Sequence, residues 1–451
     1  MFKRPQLLTG DVAPTIFRLA WPMLFGILAM MAFNLVDSYF IGKLGKDELA
    51  AMGFIFPVIM IINNFALGIA IGTSSSISRA IGRGDKHLIQ RLTTDALMLG
   101  AVFVSIIIVI GMLTIKPLFT MLGAQGIVLE HISAYMRIWY PGVIFVIVPM
   151  IGNNALRATG DTKTPGLIMI IVVTINAVLD PFLIFGIGPF PEMGITGAAV
   201  ATVGTRMTAM IIALLVLHFR EKMITFEKPA RGEIIRSWSS ILYIGIPAAA
   251  ANIIIPISLA FITRLVAEYG NTAIAAYNGI GTRIEMFALT PCIALGAIII
   301  PFIGQNMGAK KYTRIKQALN TVHLFSLLWG IFVFIVFIFF KQPIVEVFTD
   351  NPDIIHYAMW YLVIVAIGFG GYGVLYLSTS AFNALNKPFH AAGLLLMRLI
   401  IFIVPLSFLG AHYFGLWGIF AGTTLAGLLS GLIGRLWIMK TIAGHLQTEM
   451  Q

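Results

Sequence analysis

Apolar residues in this chain do not alternate with polar ones. They come in runs of about twenty or more, separated by short polar stretches. Such a run spans the ~30 Å hydrocarbon core of a bilayer as an α-helix. The runs recur near 14–40, 50–78, 93–119, 132–153, 165–187, 194–218, 237–265, 275–302, 317–340, 355–381, 390–413 and 415–438. The expected fold is an all-α polytopic membrane protein with twelve transmembrane helices. Only one connection is long, and its "HFREKMITFEKPARGEIIR" is the most polar stretch of the chain. It divides the sequence into a six-helix lobe over 1–218, a linker over 219–236 and a related six-helix lobe over 237–451.

Composition agrees: 59% of the residues are hydrophobic, 11% are charged and the mean hydropathy is +0.93. A soluble globular chain is far more polar. The first run is too long for a signal-peptide core and lacks a small-residue cleavage site, so it is retained as the first span. A net charge of +11 raises nucleic-acid binding, but the basic residues sit in short loops rather than on one solvated face, which excludes that partner. They sort by side instead. Lys3, Arg4, Arg79, Arg83, Lys86, Arg91, Arg157, Lys163, Arg220, Lys222, Lys228, Arg231, Arg236, Lys310, Lys311, Arg314, Lys316, Lys387, Arg435 and Lys440 fall on one side, and Lys43, Lys46, Lys116, Arg264 and Lys341 on the other. The positive-inside rule then places both termini in the cytoplasm of a plasma (inner) membrane. The single cysteine, Cys292, permits no internal disulfide and no cysteine-based metal site.

A shift of 225 lays Pro22 on Pro247 and "GKDELAAM" on "GNTAIAAY". Further on, "IGRGDK" meets "IGQNMGAKK", "NNALRATGDTKTP" meets "STSAFNALNKP", and "GITGAA" meets "GLWGIF". Six spans per half make this a parallel repeat of the kind that builds transporters. The repeat also marks what was not duplicated. Asp37 falls on Ile262, and Asp180 falls in "LIIFIVPL".

Of the acids, only Asp37, Asp180 and Glu285 lie well inside apolar runs. An intramembrane carboxylate costs roughly 2.5–3.5 kcal/mol even on translocon scales, which makes each a functional candidate. The competing reading is a structural hydrogen bond between helices. In "TINAVLDPFLIFG", Asn176 and Asp180 are four apart and share a helix face. Pro181 removes one backbone hydrogen bond and frees a carbonyl near Ala177 or Val178, either to kink the helix or to bind a cation. Asp37 and Asp180 come late on outward-going helices, while Tyr140 and Thr202 come early on inward-going ones. One outer polar pocket of the first half therefore gathers Asn34, Asp37, Tyr140, Asn176, Asp180 and Thr202. Such carboxylate, amide and hydroxyl oxygens suit a proton or a sodium ion equally. Glu285 is two residues from Arg283 and cannot face it along one helix, so it is a secondary candidate in need of another partner.

In their order and spacing, "NLVDSYFIGKLG", "TINAVLDPFLIFG", "GITGAAVAT" and "RIE" leading to "IGQNMGAKK" resemble the MATE family of multidrug and toxic compound extrusion transporters, from about Ala13 to Lys440. The acids on the first and fifth helices resemble its DinF-like branch. The resemblance implies that Asp37 and Asp180 carry cation coupling with Asn176 and Thr202, and hold sodium there if sodium is the ion. It further implies that Asn154 and Tyr140 belong to the neighbouring polar network, and that the first helix bends near Pro22. The implied activity is proton- or sodium-coupled antiport of amphipathic, often cationic drugs or toxins by alternating access, without enzymatic chemistry or a cofactor. The chain would act as a monomer in contact with membrane lipid. A lipid-linked oligosaccharide or lipid flippase of the same broad superfamily is the alternative, but it would favour a cationic cavity, and Arg137, Arg206, Arg283 and Arg398 are scattered. The "GRGD" at Gly82–Asp85 fits an intramembrane aspartyl protease motif but lies in a basic loop.

Overall fold

The computed structural model describes residues 6–450, except the side chains of residues 6, 34, 35, 38 and 448–450. Asn34 of the expected pocket therefore has a described backbone only, and Lys3 and Arg4 of the charge pattern lie outside the described residues. Every expected span is helical. The helices are α1 (Val12–Gly42), α2 (Lys46–Arg83), α3 (Lys86–Met121), α4 (Gly126–Gly142 and Ile144–Ala158), α5 (Lys163–Phe185) and α6 (Gly194–Arg220). They continue with α7 (Glu233–Ala267), α8 (Asn271–Gly308), α9 (Tyr312–Glu346) and α10 (Pro352–Ala384). No strand occurs among the described residues.

Pro388–Gln447 forms a single helical stretch of 60 residues, about 90 Å at 1.5 Å per residue and three times the hydrocarbon thickness. It is two spans. Gly415 breaks it with φ 61° and ψ −141°, a conformation that glycine tolerates. The chain then folds back tightly, since a Cβ on Gly410 would lie 2.1 Å from the Gly418 carbonyl oxygen. Residues 388–414 are thus α11 and residues 416–447 are α12, which completes the twelve. The fourth span bends by 42° between its two segments. Pro141 withholds a backbone hydrogen bond there, and Gly142 lets α6 approach, since a Cβ on it would lie 2.3 Å from Val203. Three spans carry π-helical turns, Val216–Arg220 at the end of α6, Ala275–Gly281 in α8 and Arg398–Ile403 in α11.

The chain packs as two compact units, one made of Trp21–Ala249 and the other joining Gln6–Ala20 to the residues from Ala250 onward. This partition differs from a cut at 219–236, and two sets of contacts explain why. The long connection is bound to α3 within the first unit: Arg91 donates to the Glu227 carbonyl at 3.2 Å, Gln90 to that of Lys222 at 2.9 Å, and the Thr225 amide to Thr94 Oγ1 at 3.0 Å. The start of α7 then lies on α2 at glycines, where a Cβ on Gly68 or Gly72 would come within 2.3 or 2.2 Å of the carbonyl oxygens of Gly245 and Ile241.

Each unit has its own apolar core. In the first, Phe119, Trp139, Tyr140 and Ile147 belong to it; in the second, Tyr277, Tyr361, Phe369 and Phe420. The outward faces are also apolar, with Leu113 75% and Phe339 73% exposed. Side chains of that kind on a continuous surface require lipid rather than water, so the chain is an integral membrane protein.

Candidate functional site

The site grows from the end of α5. Asn176 and Asp180 are both fully buried, and the i, i+4 spacing brings the Asn176 amide to donate to Asp180 Oδ1 at 3.1 Å. The helix runs on through Pro181 to Phe185. There "GITGAA" brings α6 back against it: the Met193 amide donates to the Leu183 carbonyl at 3.1 Å, and a Cβ on Gly197 would sit 2.3 Å from that same oxygen. Only glycine permits this approach. Because α6 runs antiparallel, Thr202, five residues beyond Gly197, comes level with residue 178, between Asn176 and Asp180.

Helix α1 runs alongside α5 in the same direction. A Cβ on Gly166 would lie 2.7 Å from the Pro22 carbonyl oxygen, and one on Gly26 would lie 3.1 Å from Gly166 Cα. Eleven to fifteen residues further along, Asp37 comes level with residues 177–181. Asp37 and Asp180 lie in each other's electrostatic field. Three oxygens in this region, Asp37 Oδ1, Asn176 Oδ1 and Asp180 Oδ2, are buried without a hydrogen-bond partner among the described residues. Leaving a buried acceptor unmet costs roughly 1–3 kcal/mol, so such a set calls for a proton or a hard cation. Among the described residues no cluster of three or more His, Cys, Asp or Glu side chains exists. A cation here would take two carboxylates with amide and hydroxyl oxygens, a donor set that fits sodium as well as a proton.

Other expected members lie elsewhere or have other partners. Tyr140 is buried with its ring against Gly111, where a Cβ would be 2.4 Å away, and beside Trp139 with centroids 5.8 Å apart. Asn154 donates to the Met150 carbonyl of its own helix at 2.9 Å. Glu285, in the second unit, accepts from the Tyr361 hydroxyl at 2.7 Å. That hydroxyl is the partner Glu285 needed.

Two residues of the first unit were not assigned to this pocket from the sequence. Tyr135 is buried and feels both Asp37 and Asp180. Arg206 acts electrostatically on Asp37, lies 5.1 Å from the centre of the Phe33 ring and reaches Met30 Sδ at 3.8 Å. A signal for Arg206 existed: it stands four residues after Thr202 and shares its face.

The comparisons with known proteins converge on one family. The MatE profile matches residues 22–182 and again 247–409, once in each half of the repeat. An FAD transporter of Shewanella oneidensis is 34% identical over 432 residues, 96% of this chain and 95% of that one. A probable multidrug resistance protein of Bacillus subtilis, YoeA, is 27% identical over 448 residues, 94% of each chain. The crystal structure of the Vibrio cholerae MATE transporter VcmN in the bent form superposes with a TM-score of 0.92 at 32% identity, covering 96% of this chain and 98% of that one. With twelve membrane helices in a duplicated sequence, matched by the family profile in both halves, this chain belongs to the MATE family of transporters.

Proposed function

We propose that the chain is a cation-coupled antiporter of the DinF-like branch, which exports amphipathic, often cationic small molecules from the cytoplasm across the plasma membrane. The observation that carries this reading is the set of three buried, unpartnered oxygens on Asp37, Asn176 and Asp180. Two carboxylates within each other's field in a low-dielectric site repel unless one is neutralised. A proton or sodium ion entering the set removes that repulsion and meets the open acceptors, while Thr202 stands level with the pair. A cationic substrate meets the same charge in the opposite phase, so ion and cargo compete and their exchange follows. The close contact of Pro22 and Gly26 with Gly166 ties the start of α1 to α5, so a change at Asp37 is converted into bending of α1 near Pro22.

Proteoliposomes with an inward proton gradient or an inward sodium gradient, each imposed alone, test this directly. One of the two should drive efflux of a fluorescent cationic dye. Failure of both would refute coupling. A second cargo reading comes from the 34% identical relative named as an FAD transporter. If this chain shares that cargo, FAD should compete with the dye; dye efflux unaffected by excess FAD sets that reading aside.

A further inference from the structure

A second polar cluster lies in the second unit, and its reading is independent of which ion drives transport. A cavity of about 130 Å³ there is lined by Tyr277, Glu285, Tyr361, Phe369, Tyr372 and Arg398, among mostly apolar neighbours. Glu285 is engaged on one oxygen by Tyr361 at 2.7 Å. The Arg398 guanidinium lies 4.4 Å from the centre of the Tyr372 ring, and its Nε–H has no acceptor among the described residues. Glu285 and Arg398 feel each other's charge, yet no ion pair joins them among the described residues. The chain is also distorted at this place. Tyr277 sits in the π-helical turn Ala275–Gly281, and Arg398 opens the π-helical turn Arg398–Ile403. Such turns are uncommon and concentrate at functional sites.

We propose that this cavity is a binding site for a zwitterionic aromatic ligand, a single ring carrying an amine and a carboxylate at opposite ends. The volume is close to that of a protein cavity known to hold one benzene, ~150 Å³, so it takes the ring, and the two charged groups reach the side chains of its walls. The tyrosine and phenylalanine side chains supply ring faces and edges for that ring. A carboxylate meets the unpartnered Nε–H of Arg398, and an ammonium meets the Glu285 oxygen that Tyr361 leaves free. A ring bearing one charge answers only half the site and leaves the other protein charge desolvated without a counterpart. A neutral ring leaves both.

The test is equilibrium binding to the purified full-length protein by calorimetry, with four probes that share one benzene ring: 4-(aminomethyl)benzoate, benzoate, benzylamine and benzyl alcohol. The zwitterion should bind at least ten-fold tighter than the other three. Glu285→Gln should move the preference to benzoate, and Arg398→Gln should move it to benzylamine. Because each variant is expected to gain affinity for one probe, misfolding cannot imitate the result. Should either variant fail to fold, the order of the four probes on the parent protein decides alone. Equal affinity of the four probes for the parent, or a preference unmoved by both substitutions, overturns the proposal.

Discussion

The Asn176–Asp180 pair lets the proposed coupling site be tested at a single side-chain amide. Its Nδ2 meets one carboxylate oxygen and its Oδ1 is left open, as is Asp180 Oδ2. Asn176→Ala removes both the donor and an open acceptor. A hydrogen bond to a charged group contributes about 1.5–3 kcal/mol, so gradient-driven efflux at a sub-saturating gradient should fall by roughly ten-fold or more. The driving-ion concentration for half-maximal transport should rise, as dye efflux at graded ion concentrations will show. An unchanged ion dependence would return Asn176 to a purely structural role. This pair was legible in the sequence, because i, i+4 spacing is fixed by the helix itself. Tyr135 and Arg206 were not assigned to the pocket, because lateral neighbours across helices depend on packing that no run of apolar residues encodes. Depth along the membrane assigned Tyr140 to the pocket, while its packing against Gly111 depends on helix rotation, which depth does not report.

At the scale of elements, close helix contacts rest on glycine. Gly197→Leu drives a side chain into the Leu183 carbonyl and should destabilise the fold by about 1–3 kcal/mol through overpacking. Gly204, on the same helix, has open space at its Cβ position, so Gly204→Ala should leave the melting temperature of the purified protein unchanged. Equal melting temperatures for Gly197→Leu and the parent would contradict the close approach of α5 and α6. A second device lies at the start of the chain. Asn306 donates to the Leu7 carbonyl at 3.0 Å, Lys311 to that of Leu8 at 2.9 Å and Arg314 to that of Gly10 at 2.7 Å, while Leu7 itself is fully buried. These contacts hold Gln6–Ala20 in the second unit, so α1 passes from one unit to the other just before Pro22. Arg314→Ala should free the arm and raise its rate of proteolytic clipping several-fold, and unchanged clipping would show that the arm does not depend on Arg314. The helices themselves were legible from the length of the apolar runs. The bend at Pro141 and the π-helical turns were not, because a kink in a bilayer changes hydrogen bonding without changing hydropathy.

For the whole molecule, the repeat was legible because it lies in the order of residues, and the family profile matches both of its halves. The place where the compact units divide was not. It depends on how α7 settles on α2 at Gly68 and Gly72 and on how α3 holds the long connection. The sorting of Lys and Arg predicts cytoplasmic termini. With Cys292 replaced by serine, a cysteine at Lys310 should label only in permeabilised cells, and one at Asn271 should label from outside. The reverse pattern would invert the topology. The asymmetry of the repeat remains the central fact: Asp37 and Asp180 stand in the first half where the second has apolar residues. Asp37→Asn preserves size and hydrogen bonding but removes the charge, so the variant should fold at least as well as the parent, since no charge is then desolvated. The most direct measurement is dye efflux from proteoliposomes under the gradient that drives the parent, normalised to monodisperse protein. Efflux should collapse in Asp37→Asn, and transport equal to that of the parent would contradict a coupling role for the acid.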